Sequence, residues 1–293
     1  MQSTASTEAR PQPETMMIRL AIQSRLVPGA SLAEKYERAL RYGFDGLELS
    51  HSQMIVAAEE AVRDGVPVTA MCSGHRGWFI DPDPAQVEAC KTDVRRLLEL
   101  SAELDAPLIV VPIYGRTHNL PPHCGTGRTR EQDRDMWLAG LHEVTEYADQ
   151  VGGSLLIEAI NRFENSISVT VADAAGFARQ MASPRVRAMG DVFHMNIEEV
   201  DMGDALAAER DMIAYLHLGD SQRLEPGKGH LDFENAFRGL VRMRYDGFAS
   251  MECRLSGPAD DVLPAAVAFL RERIAAAEAA VTAEGETHTE TAA

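Results

Sequence analysis

Leu155-Leu156-Ile157-Glu158, Ala188-Met189-Gly190-Asp191, Ala214-Tyr215-Leu216-His217 and Ala249-Ser250-Met251-Glu252 are four short apolar runs, each closed by a residue able to ligate a metal. A continuously apolar run of this length reads as a strand buried on both faces, the pattern of a parallel sheet covered by helices. Four earlier runs, at residues 18–24, 46–49, 68–72 and 108–113, read the same way. Helical patterns separate them. The first covers residues 31–43, with Ser31 as N-cap and Gly43 as C-cap, and the next covers residues 53–65. Others follow Asp81-Pro82-Asp83-Pro84 and span residues 129–151, and the last four begin near Val171, Asp201, Asp232 and Pro258. Eight strand–helix units predict an α/β chain folded as a single (β/α)8 TIM barrel, an architecture that takes about 250 residues. An open doubly wound sheet competes, but it wants a glycine-rich phosphate loop after the first strand. Gln23-Ser24-Arg25-Leu26-Val27-Pro28-Gly29 is not GxGxxG.

In such a barrel the chemistry gathers where strands end and βα loops begin. Glu158, Asp191, His217 and Glu252 close four consecutive strands, so they predict one divalent cation held over the mouth. Carboxylates with one neutral imidazole suit a hard or borderline ion such as Mn²⁺, Mg²⁺, Co²⁺ or Zn²⁺.

Composition narrows the classes. The 293 residues are 45% hydrophobic, enough for one large core, and residues 16–285 are read as one catalytic barrel. Residues 1–15, MQSTASTEARPQPET, are polar with no apolar signal segment and read as a disordered tail, as do residues 286–293. The last helix is expected to fray beyond about residue 280. Lys and Arg total 28 against 45 Asp and Glu, a formal charge of −17 that argues against a nucleic-acid partner. Cys72, Cys90, Cys124 and Cys253 show neither CxxC nor zinc-finger spacing, which fits reduced thiols in a cytoplasm. No run of eighteen uncharged apolar residues exists, so no membrane partner is expected.

The loops after these strands carry further polar groups. Arg162 and Glu164 follow Glu158 and could pair with each other or with a neighbouring loop. His194, three residues past Asp191, could orient a ligand, pack in its loop or contact substrate, and contact with substrate is the preferred reading. Arg223 offers a planar fork suited to substrate oxygens, inside a loop shaped by Pro226, Gly227 and Gly229 and ending at the helix cap Asp232. His75, His118 and His123 lie in the third and fourth loops, where each reads first as an ordinary loop histidine, and where extra imidazoles could instead suit a larger substrate.

The strings EAINRFE, DVFHMNIEE, HLGDSQRLEPGKGHLDF and MECR resemble the xylose-isomerase-like barrel superfamily, and within it the ketose 3-epimerases of the D-tagatose/D-psicose type. That resemblance implies one Mn²⁺, or Co²⁺ or Mg²⁺, on Glu158, Asp191, His217 and Glu252. It also implies that Glu158 and Glu252 act as an acid/base pair on opposite faces of a ketose, abstracting the proton next to the carbonyl through a cis-enediolate. Glu164, His194 and Arg223 are similar in place to residues that hold the substrate. The chain departs from the epimerases in having Gln23-Ser24-Arg25 and Tyr114-Gly115-Arg116-Thr117-His118-Asn119 where aromatic residues usually pack on the sugar, and Gln222 where an Asn is usual.

The leading expectation is therefore a metal-dependent isomerase or epimerase of a keto-sugar, a homo-oligomer in the cytoplasm. The alternative is a lyase that cleaves 3-oxo-C-glycosides by β-elimination, which would work with a small partner subunit. An abasic-site endonuclease shares the barrel but resembles a three-zinc site with more His ligands, and the acidic balance disfavours it.

Overall fold

The computed structural model describes residues 18–113 and 126–291. Eight strands, β1 (Arg19–Gln23), β2 (Gly46–Glu48), β3 (Met71–Cys72), β4 (Leu108–Val110), β5 (Leu155–Glu158), β6 (Val186–Asp191), β7 (Ile213–Leu218) and β8 (Phe248–Met251), form one sheet in the order β2-β1-β8-β7-β6-β5-β4-β3. Every pairing is parallel. The two ends of that order meet. Leu49 and Met71 form a parallel bridge, the Thr69 amide donates to the Leu47 carbonyl at 2.9 Å, and the Cys72 amide donates to the Leu49 carbonyl at 2.8 Å. The sheet thus returns on itself as the expected (β/α)8 barrel.

The helices are α1 (Leu32–Tyr42), α2 (Met54–Asp64), α3 (Pro84–Leu104), α4 (Arg130–Val151), α5 (Val171–Met181), α6 (Val192–Glu198), α7 (Met202–Ala208), α8 (Phe233–Arg242) and α9 (Ala259–Thr291). Their ends follow the cap residues. Ser31 accepts the Glu34 amide, Thr129 forms a capping box with Gln132, and Asp232 accepts the Asn235 amide. Gly43 closes α1 at φ 99°, a left-handed conformation that favours glycine.

Two helices differ from expectation. α6 starts directly on Asp191, upstream of the helix expected near Asp201, because the Asp191 carboxylate accepts the Phe193 amide at 2.8 Å as an N-cap. His194, read from sequence as a loop residue, therefore sits in the first turn of a helix. α9 continues to Thr291, past residue 280 and into the 286–291 stretch assigned to a tail. The helix-favouring run Ala275-Ala276-Ala277-Glu278-Ala279-Ala280 leads into this stretch, no proline follows it, and the helical backbone continues past Gly285. Residues 1–15 and the fourth-loop histidines His118 and His123 lie outside the described residues, as does Cys124. Among the described residues no helix is long and apolar enough to cross a membrane.

Strand side chains alternate between two cores. Between sheet and helices pack Trp137, Phe233, Phe237, Leu97 and Leu98, all fully buried. Inside the barrel Ala70, Cys72, Ile109, Leu156, Met189 and Tyr215 form a separate, smaller cluster. That inner layer is the floor of the site. Tyr215 lies two residues before His217, so both point inward, with ring centroids 5.9 Å apart.

Candidate active site

Strand register delivers the four ligand-type residues to one point. Asp191 is the register partner of His217, Glu158 pairs with Met189, and the Glu252 amide just beyond β8 donates to the Leu218 carbonyl. Around His217 Nδ1 stand Glu252 Oε2 at 2.8 Å, Glu158 Oε1 at 3.2 Å and Asp191 Oδ2 at 3.8 Å. One donor atom from each of the four lies within 4.8 Å of the others. The quartet read from sequence is thus assembled, with Glu158, Asp191 and His217 buried and Glu252 partly exposed.

A fifth member went unread. Glu48 closes β2 and is fully buried, with its carboxylate 3.1 Å from His217 Nε2, on the ring edge opposite the quartet. Gln23 Nε2 donates to Glu48 Oε1 at 2.8 Å, and the Tyr215 hydroxyl donates to Glu48 Oε2 at 3.1 Å. The signal was present in Gly46-Leu47-Glu48, another apolar run closed by a carboxylate. A histidine whose far nitrogen donates to a carboxylate has its other nitrogen fixed as the ligand atom, and here that nitrogen is Nδ1.

These donors fit a divalent cation. Three carboxylates and one imidazole, with a donor atom of each within 4.8 Å of the others, are the donor set that would hold a hard or borderline divalent ion. Asp191 Oδ2 is buried without a hydrogen bond of good geometry, although Arg223 Nη1 lies 2.6 Å away. A competing grouping of Glu48, Cys72 and His217 is also compact. It is the poorer site, because both Glu48 oxygens are engaged. Burial, then the charges of Glu252 and Glu48, raise the Cys72 thiol well above its ordinary value, which disfavours the thiolate form that a metal needs.

The crowding sets the electrostatics. Burial opposes charge on His217, but Glu48, Glu252 and Glu158 outweigh it and hold the imidazole well above its ordinary value. His217 would have to lose its Nδ1 proton to serve as a metal ligand. Burial raises the Glu158 carboxyl despite the neighbouring His217 charge. Glu252 feels the same desolvation, yet the charges of His217 and Arg223 overcome it and hold its carboxyl well below the ordinary value.

The remaining sequence-predicted residues surround this cluster. Arg223 spans two members, with Nη1 donating to Asp191 at 2.8 Å and Nη2 to Glu252 at 2.6 Å, and its guanidinium lies 4.8 Å from the Phe193 ring centroid. It does so from a left-handed backbone, φ 57°, held by its own amide donating to the Asp220 carbonyl and its carbonyl accepting the Arg254 amide, each at 2.7 Å. His194 Nδ1 faces the Asn161 amide group at 2.6 Å, while Nε2 lies 3.9 Å from Asp191. Glu164 is half exposed and accepts from the same Asn161 Nδ2 at 3.1 Å. Asn161, which the sequence reading passed over, joins them. Arg162 pairs with Glu198 on α6 at 2.8 Å, not with Glu164.

The Arg223 loop is organised by Asp220. Its buried carboxylate accepts the amides of Ser221 at 2.7 Å, Gly227 at 2.9 Å and Leu231 at 3.2 Å. Burial would raise this carboxyl, but the amides of Gly229, Ser221, Leu231 and Gly227 outweigh it and lower it. Asp220→Ala is expected to cost about 3 kcal/mol in urea unfolding, since charged hydrogen bonds are lost and amides are left unpaired. The sign with pH follows from the lowered value: the stabilisation is present above the unfolded carboxyl's titration and lost as pH falls through the folded one. The difference between wild type and Asp220→Asn should therefore hold near neutrality and shrink below about pH 4. A difference that grew in acid would contradict this role.

Above the quartet opens a cavity of about 360 Å³ whose walls include Trp78, Glu158, Glu164, His194, Arg223 and Glu252. Residues 36–273 match the model of a known family, the xylose isomerase-like TIM barrels. The chain belongs to that family. It is similar to a 3-dehydro-D-guloside 4-epimerase of Escherichia coli K12, 31% identical over 245 residues that cover 81% of this chain and 93% of that protein. It is also similar to a D-psicose 3-epimerase of Agrobacterium fabrum, 28% identical, covering 74% of this chain and 77% of the relative. Among solved structures, a 3-keto-D-glucoside 4-epimerase of E. coli superposes with a TM-score of 0.78 at 29% identity, covering 87% of this chain and 100% of the other. These family members are sugar epimerases, which agrees with the expectation of an isomerase or epimerase.

Proposed function

We propose that the chain is a divalent-metal-dependent epimerase of a keto-sugar, acting by removal and return of the proton on the carbon beside the carbonyl. One observation carries this reading: Glu158 and Glu252 reach the same cavity from β5 and β8, three strands apart around the ring, and converge on one imidazole nitrogen at 3.2 and 2.8 Å. Bound by Glu158, Asp191, His217 and Glu252, a cation would polarise the carbonyl and its neighbouring hydroxyl as a Lewis acid. Mn²⁺ is the proposed ion, with Co²⁺ or Mg²⁺ next, because the donors are carboxylates and an imidazole.

One carboxylate takes the α-proton from one face of the sugar and the other returns a proton to the opposite face, which inverts the centre. His194 and Glu164, linked through Asn161, and Arg223 line the cavity where the sugar oxygens would lie. The Arg223 guanidinium also faces the negative charge that develops on those oxygens. Lyase chemistry on a 3-oxo-glycoside would begin with the same proton abstraction, but the epimerase relatives lend it no support.

Chelation tests the proposal. Metal-stripped protein should be inactive on keto-sugars, and about one Mn²⁺ or Co²⁺ per chain should restore turnover; full activity after stripping would end the proposal. Arg223→Ala should keep its metal content yet lose roughly 10²-fold in turnover, with only partial rescue by Arg223→Lys, whose ammonium lacks the planar fork. Unchanged kinetics in both variants would return Arg223 to a purely structural part.

A further inference from the structure

A second chamber, of about 700 Å³, adjoins the first. It is enclosed by the loops after β1, β2 and β3 and by Gln86 of α3, and its walls include Arg25, His51, Ser52, His75 and Arg76. Ser73, Trp78 and Glu252 line both chambers. A molecule held against Glu252 in the first therefore has room to continue past Trp78 into the second.

The dividing loop is held open by its own backbone. Ser73, Gly74 and Gly77 all adopt positive φ, at 54°, 86° and 55°. A Cβ on Gly74 would meet the His51 carbonyl oxygen at 2.1 Å, and one on Gly77 would meet that of Gln86 at 1.9 Å, so the loop is pressed against its neighbours. Arg76 is tied to Asp93 through its amide and its guanidinium, both at 2.9 Å, and His75 packs edge-on to Trp78 with centroids 4.9 Å apart. These contacts keep the loop from collapsing into the space.

The lining gives the chemistry of the occupant. Flat rings (His51, His75, Trp78) stand beside polar groups (Ser50, Ser52, Gln86), and among the described residues the one acid in these walls is the shared Glu252. Arg76 is already neutralised by Asp93, and Arg25 spends two donors on Gln23 Oε1 and the Cys253 carbonyl. That leaves little for a phosphate. Aromatic faces with hydroxyl-sized hydrogen-bonding groups suit a second ring that bears hydroxyls.

We propose that this chamber binds the aglycone of a glycoside whose keto-sugar ring lies over the carboxylates, so that the substrate class is a keto-glycoside rather than a free ketose. The proposal rests on the epimerase reading above, and two separate measurements keep them apart. The metal-loaded full chain would be given D-psicose and the methyl, 4-hydroxyphenyl and glucosyl 3-keto-glucosides in D₂O. Deuterium uptake gives kcat/KM, and calorimetric titration gives Kd without requiring turnover. The ring-bearing glycosides should exceed the methyl glycoside by roughly tenfold or more in kcat/KM and bind with a Kd lower by a similar factor. Ser52→Trp, which fills the chamber, should bring that ratio near one. Gln86→Trp approaches from the opposite wall and gives the same reading if Ser52→Trp fails to fold. Preference for the 4-hydroxyphenyl compound assigns a phenolic aglycone, and preference for the glucosyl compound a second sugar. Tighter binding of ring-bearing glycosides without deuterium uptake would uphold the chamber and sink the epimerase reading. Equal values for methyl and ring-bearing glycosides, or a ratio untouched by both tryptophan variants, would overturn the proposal.

Discussion

Glu158→Gln and Glu252→Gln are each expected to lower turnover by about 10²–10⁴-fold, the usual loss when a general acid or base is removed. Glutamine keeps the shape and one oxygen for a cation, but it cannot carry a proton. The two sites also start from different electrostatics, Glu158 raised by burial and Glu252 lowered by His217 and Arg223 against the same burial. Loss at both positions would show that both carboxyls move protons, since a spectator ligand would be replaced with little effect once metal is saturating. Metal analysis beside the kinetics separates lost chemistry from lost metal. Near wild-type turnover in either variant at full metal content would remove that residue from the pair.

The second large effect concerns a residue outside the quartet. Glu48→Gln should weaken metal binding by about 10–100-fold, the range for losing the carboxylate behind a ligating histidine. Glu48 accepts from Gln23 and Tyr215 and sits 3.1 Å from His217 Nε2, a shell of donors that only an acceptor can satisfy. Glutamine would aim its own NH₂ at one of them and release the ring that holds Nδ1 toward the other carboxylates. Calorimetric metal titration reads the affinity, and histidine ¹⁵N shifts of the Mg²⁺-loaded protein read the tautomer directly. If both are unchanged, Glu48 is only a buried strand-end carboxylate.

The barrel and the quartet were legible because both are written in short-range pattern. Eight apolar runs with caps such as Ser31, Thr129 and Asp232 determine the strand–helix alternation, and closing a strand with Glu, Asp or His places that side chain at the mouth. Glu48 carried the same signature but stood in the second strand, far in sequence from its partner His217, and only closure of the ring brings them together. α6 was missed because its start depends on Asp191 serving as cap, a role hidden behind its reading as a ligand. The partnership of Arg162 with Glu198 depends on that same helix. Arg223 was placed near substrate, yet its contact with two members of the quartet arises from a left-handed backbone fixed by one local hydrogen bond to Asp220 and one long-range hydrogen bond from Arg254. The second chamber is less legible still, being a product of three loops meeting in space.

The central claim is that two carboxylates at the mouth of the barrel exchange the proton beside a sugar carbonyl. Its most direct test is to incubate the Mn²⁺-loaded protein with a keto-sugar or 3-keto-glycoside in D₂O and locate the isotope. One deuterium is expected, at the carbon that inverts, with uptake falling about 10²-fold or more in Glu158→Gln and Glu252→Gln. Epimer formed with no solvent deuterium at that carbon, or uptake unaffected by both substitutions, would contradict it.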